Sequence, residues 1–159
     1  MNWHTKGFTL IELLTAITAL SLVLSISGAS YSKFNRKTTL KQASLTLKTN
    51  LRSVQFRAIN GQKPTNITCT QLDGYSVSFT SVSYSYQASC TPEALDAPVT
   101  TVALAKGVTF SPVPSAILYK VLGAGIDKES QIQITLVNSL ASYILAINPN
   151  GEIIDLGEQ

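Results

Sequence analysis

Residues 8–26 read FTLIELLTAITALSLVLSI, nineteen positions with one charged side chain, Glu12, and neither Pro nor Gly. At about 1.5 Å rise per residue this makes about 28 Å of helix, close to the roughly 30 Å hydrocarbon core of a bilayer. A secretory signal has an apolar region of about 7 to 15 residues before a small-residue cleavage site; here the run is longer and its charge lies inside it. A buried core helix is the alternative, but a single small domain rarely encloses such a helix on all sides. The stretch therefore reads as a segment able to span a membrane, and its one acid sets the next requirement.

A carboxylate a few positions into a spanning segment costs at least about 2.5 kcal/mol even on lenient insertion scales, so Glu12 needs compensation. Lys6 offers a local partner on the precursor, although six residues upstream it is not on the same helical face. One solution is a protonated or snorkelling carboxyl near the interface. The other is a free amine from a second molecule, meeting the carboxylate in apolar surroundings where a pair counts more than in water.

Outward from this stretch, the chain has 159 residues, enough for one domain and an appended segment. Charged residues are 13% of the total, while Ser and Thr number 35, so polarity comes mainly from hydroxyls, an unusual balance for a cytosolic protein. The charges are segregated: Lys33 to Arg57 carries seven bases and no acid, whereas the chain from Asn60 onward has four Lys against eight acids. Such segments attract one another within one molecule or between neighbours. The only histidine is His4, so no Ser-His-Asp triad, Cys-His pair or His-containing metal site can form beyond it. The acids are scattered, and Gly123-Ala-Gly125 lacks the third Gly and the helix of a phosphate loop. The chain does not read as an enzyme, and no cofactor or metal site is expected.

After the apolar run, Leu40, Ala43, Leu47, Leu51, Val54 and Ala58 recur at helical spacing, so the helix is expected to run from Phe8 to about Asn60. Gly61 and Pro64 provide its stop. Gly28 is the one breaker on the way, and Thr15, Thr18, Ser21 and Ser25 mark a side of small hydroxyls suited to close helix packing or hydrogen bonding. From Thr65 the texture alternates with period two. Tyr75 to Phe79 and Val82 to Tyr86 predict a hairpin turning at Thr80-Ser81. Further strands are expected at Val99 to Leu104, Val108 to Ser111, Ile117 to Val121, Gln131 to Val137, Ser142 to Asn148 and Glu152 to Leu156. Asn148-Pro-Asn-Gly151 is the turn between the last two. The predicted fold is α+β: an antiparallel sheet laid against the second half of a long N-terminal helix. Cys69 and Cys90 bracket the hairpin. An even count in an exported domain favours a disulfide over two free thiols, and two Cys without His complete no usual zinc site.

The run Lys6-Gly7-Phe8-Thr9-Leu10-Ile11-Glu12-Leu13-Leu14 closely resembles the amino terminus of type IV prepilins and type II secretion pseudopilins. The resemblance implies a pilin-like fold and cleavage between Gly7 and Phe8 by a membrane-embedded prepilin peptidase. It also implies N-methylation of Phe8, which keeps the amine's positive charge. The missing partner of Glu12 is then Phe8 of a neighbouring subunit. The implied organisation is a leader at 1–7, a transmembrane and filament-core helix at 8–30, an amphipathic basic half at 31–61 and a β-rich domain at 62–159. A count of flanking bases alone places the carboxyl side in the cytoplasm. The resemblance implies the reverse, with the peptidase acting at the cytoplasmic face.

Implied partners are other pilin or pseudopilin subunits, the peptidase, an inner-membrane assembly platform and membrane lipid. The implied location is the inner membrane and then an extracellular pilus or periplasmic pseudopilus. Many major pilins of the family carry Pro where this chain has Gly28 and Ala29. The carboxyl-terminal layout is similar to minor pilins and pseudopilin H, so a minor structural subunit is the favoured role. A major pilin, a DNA-binding minor pilin of a competence pilus and a single-pass anchored ectodomain are the alternatives. Nucleic acid is the less favoured partner: phosphate neutralisation needs the Lys33 to Arg57 bases exposed. Some DNA-binding relatives also carry Arg after the equivalent of Gly151, where this chain has Glu152 and, nearby, Asp155. The sequon Asn66-Ile67-Thr68 is incidental in a prokaryotic family.

Overall fold

One helix, α1 (Leu10–Ile59), accounts for the first third of the chain, matching the expected Phe8 to Asn60 within two residues. The computed structural model describes residues 7–65, 69–91 and 98–159, and side chains throughout these except at 23–30. His4, Lys6 and the sequon Asn66 to Thr68 lie outside the described residues, as do the side chains of Val23 to Ile26 and of Ala29. The chain divides into two compact units, Met1–Arg36 and Lys37–Gln159.

In the first unit, α1 presents its apolar side chains to solvent: Leu10, Ile11, Leu13, Leu14, Ile17, Leu20 and Leu22 are all exposed. Thr15, Thr18 and Ser21 hydroxyls donate to the carbonyls of Glu12, Thr15 and Ile17 at 2.8 to 3.0 Å, so these groups are satisfied along their own helix. Among the described residues no helix is long and apolar enough to cross a membrane. The side-chain description stops at Leu22, so the expected span from Phe8 to Ile26 is not shown.

In the second unit α1 buries one stripe: Leu40, Ser44, Leu47, Leu51, Val54 and Ala58, at alternating steps of four and three. Ala43, expected in this stripe, is only half-buried, and the serine beside it takes the core position. Ser44 is tolerated there because its hydroxyl donates to Lys41 O at 2.7 Å. Gly61, at φ 58°, ends the helix: its N–H donates to Ala58 O and that of Gln62 to Arg57 O, each at 3.0 Å. This paired closure needs a left-handed residue, which glycine adopts without a Cβ penalty.

Among the described residues eight strands follow: β1 (Gln71–Phe79), β2 (Ser83–Thr91), β3 (Thr100–Ala103), β4 (Thr109–Phe110), β5 (Ile117–Lys120), β6 (Ile132–Val137), β7 (Ser142–Ile147) and β8 (Ile153–Glu158). All pair antiparallel, but they form two four-stranded sheets, β3-β2-β1-β5 and β4-β6-β7-β8, where a single sheet was expected. The β1–β2 hairpin is as expected, with one shift. Val82 lies in the turn, because Thr80 Oγ1 accepts from the N–H groups of Val82 and Ser83 at 3.4 and 3.0 Å and holds the chain back one residue. Asn148 to Gly151 turns as read, with Gly151 at φ 87°.

The inner faces of both sheets and the stripe of α1 share one core, including Val77, Tyr84, Ile117 and Tyr119 from the first sheet and Ile134, Leu136, Leu145 and Ile147 from the second. Phe110 binds the sheets together: its ring meets Phe79 edge-on at 5.4 Å, and its N–H donates to Ser81 O at 2.9 Å. Two polar clamps orient α1. Asn50 donates to the Tyr84 hydroxyl at 2.6 Å, and Gln55 donates to Gly151 O at 2.9 Å.

Candidate processing and assembly site

Thr9 is the N-cap of α1, and Glu12 is the third residue of its first turn. The Thr9 N–H and hydroxyl both donate to Glu12 Oε2, at 3.0 and 2.8 Å, and the Glu12 N–H is 3.3 Å from Thr9 Oγ1. This reciprocal arrangement is a capping box: two amide groups that the helix cannot pair internally are satisfied by side chains, and a carboxylate sits at the positive end of the helix dipole. The sequence reading gave Glu12 either a snorkelling or protonated state, Lys6 or an amine from a second molecule, and it did not include this contact with Thr9. The signal was legible as Thr9-Leu-Ile-Glu12, a Thr followed three residues later by Glu before an apolar run.

Among the described residues, Oε2 takes both of these bonds and Oε1 takes none. One oxygen can thus hold the helix start while the other remains open to a cation. Just upstream, Phe8 is 84% exposed, and among the described residues nothing beyond its chain neighbours lies within 4 Å of where a Cβ on Gly7 would sit. Hydrolysis of the Gly7–Phe8 peptide bond would leave the new amine four residues from Glu12. The structure brings Gly7, Phe8 and Glu12 onto one exposed helix start. Cys69 and Cys90 belong elsewhere.

Those cysteines form a disulfide with a Cα–Cα separation of 5.5 Å, fastening the segment before β1 to the end of β2. The basic run is drawn partly into the fold. Lys37 pairs with Glu158 at 2.7 Å and Lys48 with Asp155 at 2.8 Å, so two of its seven bases bind β8. Asp155 also hydrogen-bonds the Tyr143 hydroxyl. Burial alone would raise the Asp155 pKa, but the hydrogen bonds from Lys48 and Tyr143, with the Lys48 charge, hold it below the usual carboxylate range. Glu152 accepts from Asn148 Nδ2 at 3.0 Å across the turn. Among the described residues, no group of three or more His, Cys, Asp or Glu is placed to hold a metal.

A family model described as the prokaryotic N-terminal methylation motif matches residues 4–28, which contain the capping box, Gly7 and Phe8. No curated protein and no solved structure matches the chain. The motif implies peptidase processing and assembly with other pilin subunits, and the helix followed by antiparallel sheets is consistent with a pilin fold. The chain carries the amino-terminal signature of a type IV pilin- or pseudopilin-like precursor.

Proposed function

We propose that this chain is a minor, pseudopilin H-like subunit of a type IV pilus or secretion pseudopilus. Prepilin peptidase cuts it after Gly7, and Phe8 becomes the methylated terminus. The segment from Phe8 to Ile26 holds it in the inner membrane until an assembly platform moves it into a filament, where the same segment packs among its neighbours. The observation that carries this reading is the methylation motif lying over a helix start where, among the described residues, Glu12 uses one carboxylate oxygen to cap the helix. The exposed apolar side chains from Leu10 to Leu22 support it, since so much apolar surface requires lipid or other subunits. The minor role rests on the carboxyl-terminal strand–turn–strand from Ser142 to Glu158.

Mass spectrometry of the protein from its native membrane and from sheared filaments tests the processing. The expected species begins with methylated Phe8, and a mature species retaining Met1 would defeat the proposal. Immunogold labelling of filaments then separates the roles: sparse or terminal label is expected, whereas uniform label would make this a major subunit.

A further inference from the structure

Asn-Gly occurs twice in the chain, at Asn60-Gly61 and at Asn150-Gly151. This dipeptide carries its own chemistry, because the glycine amide nitrogen can attack the asparagine side-chain carbonyl carbon with no side chain of its own in the way. The fold treats the two copies differently. Asn60 follows the last residue of α1, and its Nδ2 donates to Phe56 O at 2.7 Å, so the side chain lies back along the helix, away from the Gly61 nitrogen. Asn150 is exposed in the turn between β7 and β8, and its Oδ1 accepts from Glu152 N–H at 3.0 Å. That bond folds the side chain forward over the Gly151 peptide and draws electron density from the carbonyl carbon that would be attacked.

The nucleophile is held in check. Gly151 N–H donates to Asn148 O at 2.8 Å and Gln55 Nε2 donates to Gly151 O at 2.9 Å, so both sides of this residue are tied. Gly151 is buried, and a Cβ on it would lie 2.8 Å from Gln55 Nε2, so the helix side chain covers it closely. The neighbouring turn adds support: Ile126 N–H donates to Pro149 O at 2.9 Å, and a Cβ on Gly125 would collide with that oxygen. A base reaches the Gly151 proton only when its bond to Asn148 O opens, and the Gln55 bond opposes that local opening.

We infer that Asn150 is a site of spontaneous deamidation in the folded chain and that Gln55 governs its rate. The Gly151 nitrogen, losing its proton to solvent base, bonds to Asn150 Cγ; the Cγ–Nδ2 bond breaks, releasing ammonia and leaving a succinimide ring. Water then opens either carbonyl–nitrogen bond of the ring to give aspartate or isoaspartate. The net change is water consumed and ammonia released, with nothing oxidised or reduced. Isoaspartate carries the backbone through Cβ and Cγ and lengthens the turn, which withdraws Gly151 O from Gln55 and costs α1 one of its polar clamps. Either product adds a negative charge close to Glu152. The clasp between α1 and the β7–β8 turn therefore ages irreversibly, whether or not the chain enters a filament.

The test holds the full chain in detergent at mildly alkaline pH and follows it by peptide mapping that separates asparagine, aspartate and isoaspartate forms. Folded protein is expected to convert at Asn150 while Asn60 stays intact. In denaturant the two Asn-Gly pairs, chemically alike, are expected to convert at matching rates. Gln55→Ala frees Gly151 O and should speed the folded-state reaction about fivefold, the effect of one hydrogen bond, while leaving the denatured rate unchanged. A rise confined to Asn150 identifies release of the turn, since general loosening of the fold would expose Asn60 as well. Aged unaltered chain should melt below fresh chain, and Asn150→Ser, which keeps an acceptor for Glu152 N–H but has no amide to lose, should not change on ageing. The inference is overturned if folded protein yields no product at Asn150, or converts Asn60 as fast. It is equally overturned if Gln55→Ala leaves the rate unchanged or raises both sites alike. None of these outcomes bears on cleavage at Gly7, which the mass of the Phe8 terminus reports separately.

Discussion

Glu12 has two roles that one substitution can separate. Glutamine is also a competent third residue of a capping box, so Glu12→Gln retains the bonds with Thr9 and removes only the charge. Glu12→Ala removes both. If the carboxylate serves chiefly as a counter-ion for a neighbouring Phe8 amine, both variants are cleaved after Gly7 and both assemble poorly. If capping is what matters, Glu12→Gln assembles normally and Glu12→Ala alone fails; immunoblots for processing, with filament counts, read the difference. Tyr119 offers a second residue-level test. Its hydroxyl is buried and makes no hydrogen bond among the described residues, and burial pushes its pKa well up. Tyr119→Phe deletes an uncompensated polar group, so stability is expected to stay level or rise by up to about 1–2 kcal/mol in denaturant titration. A loss of similar size would mean that the hydroxyl has a partner after all.

At the scale of elements, α1 and β8 are held together by Lys37–Glu158 and by Lys48–Asp155, with Tyr143 beside Asp155. A carboxylate whose folded pKa lies below its unfolded value contributes stability that is complete above the unfolded pKa, near 4, and lost as pH falls through the folded one. Asp155→Asn should therefore flatten the stability profile below about pH 4 while lowering stability at neutral pH. Thermal melts of both proteins across the acid range check the sign, and an unchanged acid limb would remove Asp155 from the account. The sequence showed the ingredients of this clasp, seven bases in α1 and acids near the carboxyl terminus, but not which would pair. Helix limits and all eight strands were legible because apolar period and turn chemistry act locally. Ser44 was not: a hydroxyl does not register in an apolar repeat, and only its bond to Lys41 O reveals why it can be buried. Glu12's capping role was present in the sequence too, but its place in an apolar segment drew attention to the charge instead.

For the whole molecule, alternation told which strands exist and which side of each is apolar, but not how they associate. A strand with one apolar face satisfies its core equally in a single sheet or in one of two, and the choice depends on distant contacts such as Phe110 with Phe79 and Gly125 against Pro149. The Cys69–Cys90 link is one long-range constraint that sequence did predict. The two cysteines are 21 residues apart, a loop whose closure stabilises by roughly 3 kcal/mol through lost freedom of the unfolded chain. Replacing both by Ser in the full chain should lower the melting temperature by on the order of 10 °C. The link belongs to the second unit, whereas Gly7, Phe8 and Glu12 belong to the first, so processing should persist while the folded body becomes scarce. The expected result is methylated Phe8 on a chain that is protease-sensitive beyond α1. If the double Ser variant instead keeps a resistant body and a normal melt, the shared core of α1 and the two sheets is sufficient alone, and the crosslink matters only against mechanical or extracellular unfolding.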